Sequence, residues 1–138
     1  MRFIDSNIFL YAIIKPKGKI DPEILERKEK SRKILLRIKA GEEVVTTVIH
    51  LSEVANILEA KANIHASINL VKEVLLAKNI IVLPVSTMDY LKAVVLAEEK
   101  KISINDALAY LKMKENNIKE IYTFGEHFRN LDVTIVNE

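Results

Sequence analysis

The amino-acid sequence predicts an α/β fold, a three-layer α/β/α sandwich around a central parallel five-stranded sheet. Short apolar and β-branched runs alternate with amphipathic helical stretches, the pattern of right-handed βαβ crossovers and a sheet covered on both faces. Only 3 Gly and 3 Pro interrupt 138 residues that are 49% hydrophobic and 29% charged, so the chain is rich in regular elements. That length suits one domain spanning residues 1–138, near the size at which a single core buries most of its apolar surface.

In chain order, Arg2–Asp5 reads as a strand and Ser6–Ile14 as a helix with Ile8, Leu10, Ala12 and Ile13 available for burial. Lys15–Ile20 carries Pro16 and Gly18 and reads as an exposed loop. Asp21-Pro22-Glu23 is a helix start: an N-cap acceptor, a proline whose missing N–H costs nothing there, and an acid facing the dipole. That helix runs to about Ala40, where Gly41 stops it. Val44–Val48 is a β-branched strand, followed by a helix over Leu51–Lys61. Another helix, about Ile64–Lys78, has Ile68, Val71 and Leu75 on one face and leads into the strand Ile80–Leu83. Thr87 is expected to cap a helix to about Lys100, and Ser103 one to about Asn116. Lys119–Phe124 and Val133–Val136 supply the last two strands.

Composition narrows the chemistry. With no Cys, disulfides and thiolate metal sites are excluded, and a metal would need oxygen or imidazole ligands. The N-terminus lacks the features of a signal peptide and no apolar run approaches a membrane span, so a cytoplasmic protein without a membrane partner is expected. A net charge of +2 with pI ≈ 8.7 suits a nucleic-acid partner without demanding one. His50, His65 and His127 have no regular ligand spacing and read as surface or packing residues. Arg27, Lys28, Lys30, Arg32 and Lys33 read first as the solvated face of a helix and second as an RNA-contacting surface.

Three carboxylates stand in apolar company. Asp5 follows Phe3-Ile4 and precedes Ile8-Phe9; Glu53 lies amid Leu51, Val54, Ile57 and Leu58; Asp106 lies amid Ile104, Ala107 and Leu108. Each occupies a strand end or a helix start, locations that share one edge of a parallel sheet, where ligands gather. Two carboxylates about 4 Å apart repel by roughly 4 kcal/mol at an effective dielectric near 20. A hard divalent cation reverses that sign, and oxygen-only ligands favour Mg²⁺ or Mn²⁺. The chemistry that follows is metal-assisted attack of water on a phosphodiester, with Ser6 and Asn7 supplying polar groups beside Asp5. Plainer roles stay open. Ser103-Ile-Asn-Asp106 is a capping-box pattern, Asp5 can serve as an N-cap, and Glu53 can be a solvated helix residue.

Phe3-Ile-Asp-Ser-Asn-Ile-Phe-Leu-Tyr11, Leu51-Ser-Glu-Val-Ala-Asn56, Ile104-Asn-Asp-Ala-Leu-Ala109 and Ile121-Tyr-Thr-Phe-Gly-Glu-His-Phe128, taken in order, resemble the PIN domain, the ribonuclease fold of VapC-like toxins in prokaryotic toxin–antitoxin pairs. The resemblance covers essentially the whole chain and implies a sheet of order 3-2-1-4-5. It places Asp5, Glu53 and Asp106 as the metal-binding, catalytic acids and Thr123 as the hydroxyl near the site. It also implies an antitoxin that covers the site and a homodimer formed through helices. The family usually carries a fourth acid two residues after that hydroxyl, where this chain has Gly125. Glu126 is adjacent and Asp132 a more distant substitute, the latter read as a turn residue before Val133.

Two functions therefore stand side by side: a metal-dependent ribonuclease, and a weak or inactive PIN scaffold that binds RNA or a protein. Other enzymes with an Asp after a first strand fit poorly. Haloacid-dehalogenase-type phosphatases need Asp-x-Asp, and the second position here is Asn7. Response-regulator receivers need an acidic pair before the first helix and an Asp after a middle strand, where this chain has Leu83-Pro84. No aromatic-rich platform for stacking RNA bases is apparent in the sequence.

Overall fold

The computed structural model describes all 138 residues, Met1–Glu138. The elements run β1 (Arg2–Ile4), α1 (Ser6–Ile13), α2 (Pro22–Lys39), β2 (Val44–Thr47), α3 (Val48–Lys61), α4 (Ile64–Leu76), β3 (Ile80–Leu83), α5 (Thr87–Lys100), α6 (Ile104–Glu115), β4 (Glu120–Tyr122), a 3-10 helix (Glu126–Asn130) and β5 (Thr134–Val136). All five strands are parallel, in the order β3-β2-β1-β4-β5, as expected. No helix is long and apolar enough to cross a membrane.

Strand alternation builds the three layers. Phe3 pairs with Val45 and Ile121 in register, and Ile4 with Tyr122; adjacent residues point to opposite faces of the sheet. Ile4, Val44 and Tyr122 therefore pack with Ile8 and Phe9 of α1, Ile34 and Ile38 of α2, Leu51, Val54 and Leu58 of α3 and Val74 of α4. Phe3, Val45 and Ile121 face the other way, onto Ala109 and Met113 of α6 and Phe128 of the 3-10 helix. Ala93, Ala97 and Ala107, with Leu108, join α5 to α6, the alanines letting the two helices approach closely. Each fully buried large apolar side chain is worth about 1.5–3 kcal/mol, so both faces of this short-stranded sheet are needed to hold it.

Several boundaries differ from the sequence reading. Helix α3 starts at Val48, not Leu51, because the Thr47 hydroxyl accepts the His50 N–H at 3.2 Å and caps it. The β-branched pair Val48-Ile49 is thus helical although it extends the strand pattern. Ser86, not Thr87, caps α5; its hydroxyl accepts from Asp89 N and Asp89 accepts from Ser86 N, a complete capping box. The five-residue 3-10 helix is an added element, too short to give a periodic signal in the sequence.

Strand order reverses between β1 and β4: the chain leaves β1 toward β2 and β3 on one side, and β4 and β5 lie on the other. The chain leaves the carboxyl ends of those two strands in opposite directions at this switch point, which in open parallel sheets is where a crevice forms.

Candidate functional site

Asp5 sits at that crevice. Its backbone N–H continues the β1–β4 ladder to Tyr122 O at 3.0 Å, and its carboxylate, in a residue only 4% exposed, begins α1 as the N-cap. Oδ1 accepts Ser6 N at 2.8 Å, and Oδ2 accepts the Thr123 hydroxyl at 2.7 Å and, more weakly, Asn7 Nδ2 at 3.4 Å. The N-cap role weighed against a functional one is therefore real, yet it engages one oxygen only. Burial pushes the Asp5 carboxyl above the usual carboxylate range; His50, the Thr123 hydroxyl and the Ser6 N–H oppose the rise, and the Asp106 charge adds to it.

Glu53 comes from the second turn of α3 and is half-buried. Its Oε1 accepts Ser6 Oγ at 2.7 Å and Asn105 Nδ2 at 3.2 Å. Ser6 also stands 3.4 Å from Asp5 Oδ1; its single hydroxyl proton goes to the nearer oxygen, that of Glu53, so Ser6 bridges the two acids through its N–H and its O–H. Asp106 lies in the first turn of α6. Ser103 Oγ accepts its N–H at 3.2 Å, which is half of a capping box, but the Asp106 carboxylate does not complete it. Oδ2 bonds instead to His127 Nδ1 at 2.6 Å. Asp89, by contrast, spends its carboxylate on the Ser86 cap and on Lys112.

Asn7 and Thr123 fasten the crevice from the β4 side. Thr123 Oγ1 donates to Asp5 and accepts Gly125 N at 2.8 Å and Asn7 Nδ2 at 3.3 Å. The Asn7 carbonyl oxygen accepts Phe124 N at 3.4 Å. Gly125 carries φ −68° and ψ 133°, a backbone open to any residue. A Cβ there would stand 3.1 Å from Thr123 Oγ1 and 3.5 Å from the Phe128 ring, so a side chain would crowd the hydroxyl. Glu126 is 68% exposed and pairs with Arg129 at 3.2 Å, three residues on; none of the three acids bonds to it, because one step along the 3-10 helix turns it to solvent. Asp132 bonds to Tyr110 and Lys114, outside the crevice.

Four polar residues at the site escaped the sequence reading. His50 is buried, edge-on to Phe3 at 5.1 Å, and held at both nitrogens. Nε2 lies 3.0 Å from Asn105 O, a pure acceptor, so Nε2 carries a proton, and Nδ1 lies 2.7 Å from the Thr47 hydroxyl. Thr47, Asn105 and His127 complete the set. His50 alone had a signal, the same apolar company that marked the acids, between Val48-Ile49 and Leu51. The basic residues of α2 are partly as expected: Lys30 and Arg32 pair with Glu26 and Glu29 on the solvated face. Arg27 and Lys28, however, pack down onto α1.

No Lys or Arg forms an ion pair with Asp5, Glu53 or Asp106. Ser6 links Asp5 to Glu53, and the Asp106 charge is felt at Asp5. No group of three or more His, Asp or Glu side chains is arranged to hold a metal as they stand; the oxygen donors are of the kind that suits Mg²⁺ or Mn²⁺, ions that keep several waters. A cavity of about 730 Å³ between α1, α2 and α4 is lined by none of the three acids.

A family model described as the PIN domain matches residues 2–133. Among solved structures, the chain is similar to VapC20 of Mycobacterium tuberculosis, described as a sarcin–ricin-loop-cleaving toxin, with TM-score 0.76, 18% identity and coverage of 100% of both chains. It is similar to a toxin–antitoxin complex from Klebsiella pneumoniae at TM-score 0.67 and 13% identity, covering 100% of this chain and 98% of that one. VapBC2 from Rickettsia felis, bound to a promoter DNA fragment, matches at TM-score 0.63 and 16% identity, over 99% of this chain and 97% of that one. A comparison with curated proteins finds no significant match. At these identities the structural likeness establishes the fold.

Proposed function

Because the chain belongs to the PIN domain family, we propose that it is a metal-dependent endoribonuclease, the toxin of a toxin–antitoxin pair acting in the cytoplasm. The observation that carries this reading is the buried Asp5 carboxylate at the switch point, with Glu53 and Asp106 beside it and no basic side chain paired to any of them except the His127 imidazole at Asp106. Family and structural likeness raise the prior, while the site itself carries the chemistry.

Asp5 and Asp106 would hold Mg²⁺ or Mn²⁺, with Glu53 binding it directly or through water. When bound, the cation would polarise the phosphoryl oxygens and lower the pKa of the attacking water. Ser6 aligns Glu53 with Asp5, and Thr123 and Asn7 fix the Asp5 oxygen that points toward β4. Neutral donors do this work without cancelling the charge that attracts the cation. Gly125 leaves the site without the acid usual in the family, and Glu126 does not replace it in this geometry. That shortfall favours a second reading, a weak or inactive scaffold that binds RNA or protein.

Analysis of cleavage ends separates the two. Attack by water on the phosphorus leaves a 5′-phosphate and a 3′-hydroxyl, and tolerates a 2′-deoxy sugar at the cut. A cyclic phosphate product would refute the water mechanism, and no cleavage with either metal would leave the scaffold reading.

An antitoxin segment carrying an Arg would enter the acid crevice, since a guanidinium pairs bidentately with carboxylates; an Arg-bearing antitoxin tail that leaves Mn²⁺ affinity unchanged would contradict this. For the homodimer, the exposed Met88, Leu91 and Val95 recur at i, i+3, i+7 on α5 and form an apolar stripe suited to a second copy. A sedimenting mass of one chain at micromolar concentration would contradict it.

A further inference from the structure

A second cavity, of about 440 Å³, opens beside the acid crevice and is lined by Asn7, Leu10, Tyr11, Ile14, Pro16, Lys17, Lys19, Ile20, Ile24 and Lys28. Its volume lies within the roughly 300–1,000 Å³ range of small-molecule sites. Three observations set its chemistry. First, the only lining residue it shares with the acid site is Asn7, whose amide bonds to Asp5, Thr123 and Phe124. The two sites are therefore neighbours across one side chain.

Second, the lining holds three lysines and no acid, and Lys15, Lys17, Lys19 and Lys28 form no salt bridge. Lys28 Nζ is held by the carbonyls of Tyr11, Ala12 and Ile14 at 3.0–3.3 Å, where it satisfies the end of α1. Burial and the neighbouring Arg32 and Lys15 charges push its ammonium below the ordinary lysine value. This is cationic surface without a counter-ion, the inverse of the acid crevice next to it.

Third, the remaining wall is largely apolar, with Tyr11 its one aromatic ring, held from behind by Phe124 and Arg27 outside the cavity. Tyr11 meets Phe124 edge-on at 5.4 Å, and the Arg27 guanidinium lies over both rings, 5.6 Å and 5.4 Å from their centroids, while donating to the Tyr11 hydroxyl at 2.9 Å. The sequence shows no aromatic platform because Tyr11, Arg27 and Phe124 are brought together only by α1 packing against α2 and the loop after β4. Held this way, the Tyr11 ring is rigid before any ligand arrives, which lowers the cost of binding a planar group.

We propose that this cavity is a nucleotide subsite for single-stranded RNA, in which Lys17 and Lys19 hold a phosphate and Tyr11 with Ile14, Ile20 and Ile24 receives the base next to the scissile bond. The inference rests on the ribonuclease reading and gives it substrate geometry. One nucleotide is anchored here so that the adjoining phosphodiester passes Asn7 and reaches Asp5. A duplex cannot insert a stacked base into such a cavity, so the subsite selects unpaired RNA. An acidic peptide would match the lysines but would leave the apolar wall unused.

The test is fluorescence anisotropy with labelled oligouridine, its abasic counterpart and an oligoglutamate of equal charge, in Ca²⁺ at several salt concentrations, with cleavage of the same oligouridine measured in Mn²⁺. Lys17 and Lys19 are exposed and unpaired, so the Lys17→Ala/Lys19→Ala variant retains the fold, and Lys17→Arg/Lys19→Arg checks that charge is what matters. The double alanine variant is expected to bind about tenfold more weakly and to lower the slope of log affinity against log salt by about 0.7, the loss of one single-strand phosphate contact. The double arginine variant is expected to bind like the parent, and abasic RNA at least roughly fivefold more weakly than oligouridine. A parent that binds and cleaves RNA while the alanine variant keeps the same affinity and slope overturns the subsite and leaves the nuclease reading intact. Equal binding of oligouridine, abasic RNA and oligoglutamate also overturns it. A parent that binds and cuts no RNA overturns both.

Discussion

Thr123 Oγ1 donates to Asp5 Oδ2 at 2.7 Å across the point where the strand order reverses, and the same oxygen accepts the Gly125 N–H at 2.8 Å. One hydroxyl thus joins the carboxyl ends of β1 and β4 and orders the loop beyond. Thr123→Val removes the donor to a buried carboxylate and the acceptor of a backbone N–H. A loss of about 1–3 kcal/mol in stability is expected from the unsatisfied groups. Mn²⁺ affinity is expected to fall about tenfold or more, as for other partners that orient metal ligands. Thr123→Ser restores both. Urea denaturation and metal titration calorimetry check the pair of effects.

Gly125→Asp tests whether the absent acid matters. The backbone accepts the side chain, but its Cβ presses on Thr123 Oγ1 at 3.1 Å. The variant is expected to bind Mn²⁺ several-fold more tightly while losing about 1–3 kcal/mol of stability without metal, the ordinary cost of an overfilled site. Equal affinity in the two proteins would show that position 125 does not face the cation.

His127 is the only cationic-capable partner of Asp106. His127→Ala frees Asp106 Oδ2 to rotate and is expected to weaken Mn²⁺ binding roughly tenfold. His127→Asn, whose amide can place a donor near the former Nδ1, is expected to recover much of it. If alanine and asparagine behave like the parent in calorimetry, His127 does not position Asp106.

Asp89 gives a pH dependence far from the site. The Ser86 N–H and then Lys112 hold its carboxyl down to about 2, against about 3.9 in an unfolded chain. A depressed folded value means that the contribution is present above about pH 4 and is lost as pH falls through about 2. The stability gap between the parent and Asp89→Asn, measured by denaturant midpoint, is expected to be largest at pH 5 and to close toward pH 2.

Much of the fold was legible because strand and helix signals alternate. The two-residue period that puts Phe3 and Ile4 on opposite faces is visible in the run Phe3-Ile4-Asp5 itself, and the strand order followed from the resemblance. The apolar company of the three acids was legible, and it corresponds to a buried Asp5 and a partly buried Glu53 and Asp106. Their partners were not legible. Nothing local distinguishes Asn105 from any first-turn asparagine, and its bond to Glu53 exists only once α6 is packed beside α3. His127 meets Asp106 through a 3-10 helix too short to leave a periodic trace. Thr47 reads as a strand residue until its hydroxyl is seen capping α3. Glu126 looked adjacent to the crevice along the chain, but adjacency fixes neither direction nor reach.

On the proposed reading, Asp5 anchors a cation used to hydrolyse RNA. Its most direct test is the single-turnover cleavage rate of single-stranded RNA by the parent and by Asp5→Asn across a Mn²⁺ titration. The parent rate is expected to rise and saturate with Mn²⁺, and the folded Asp5→Asn protein to cleave at least about a hundredfold more slowly at every concentration. Equal rates in the two proteins, or a parent rate that persists in excess chelator, would show that Asp5 anchors no catalytic cation.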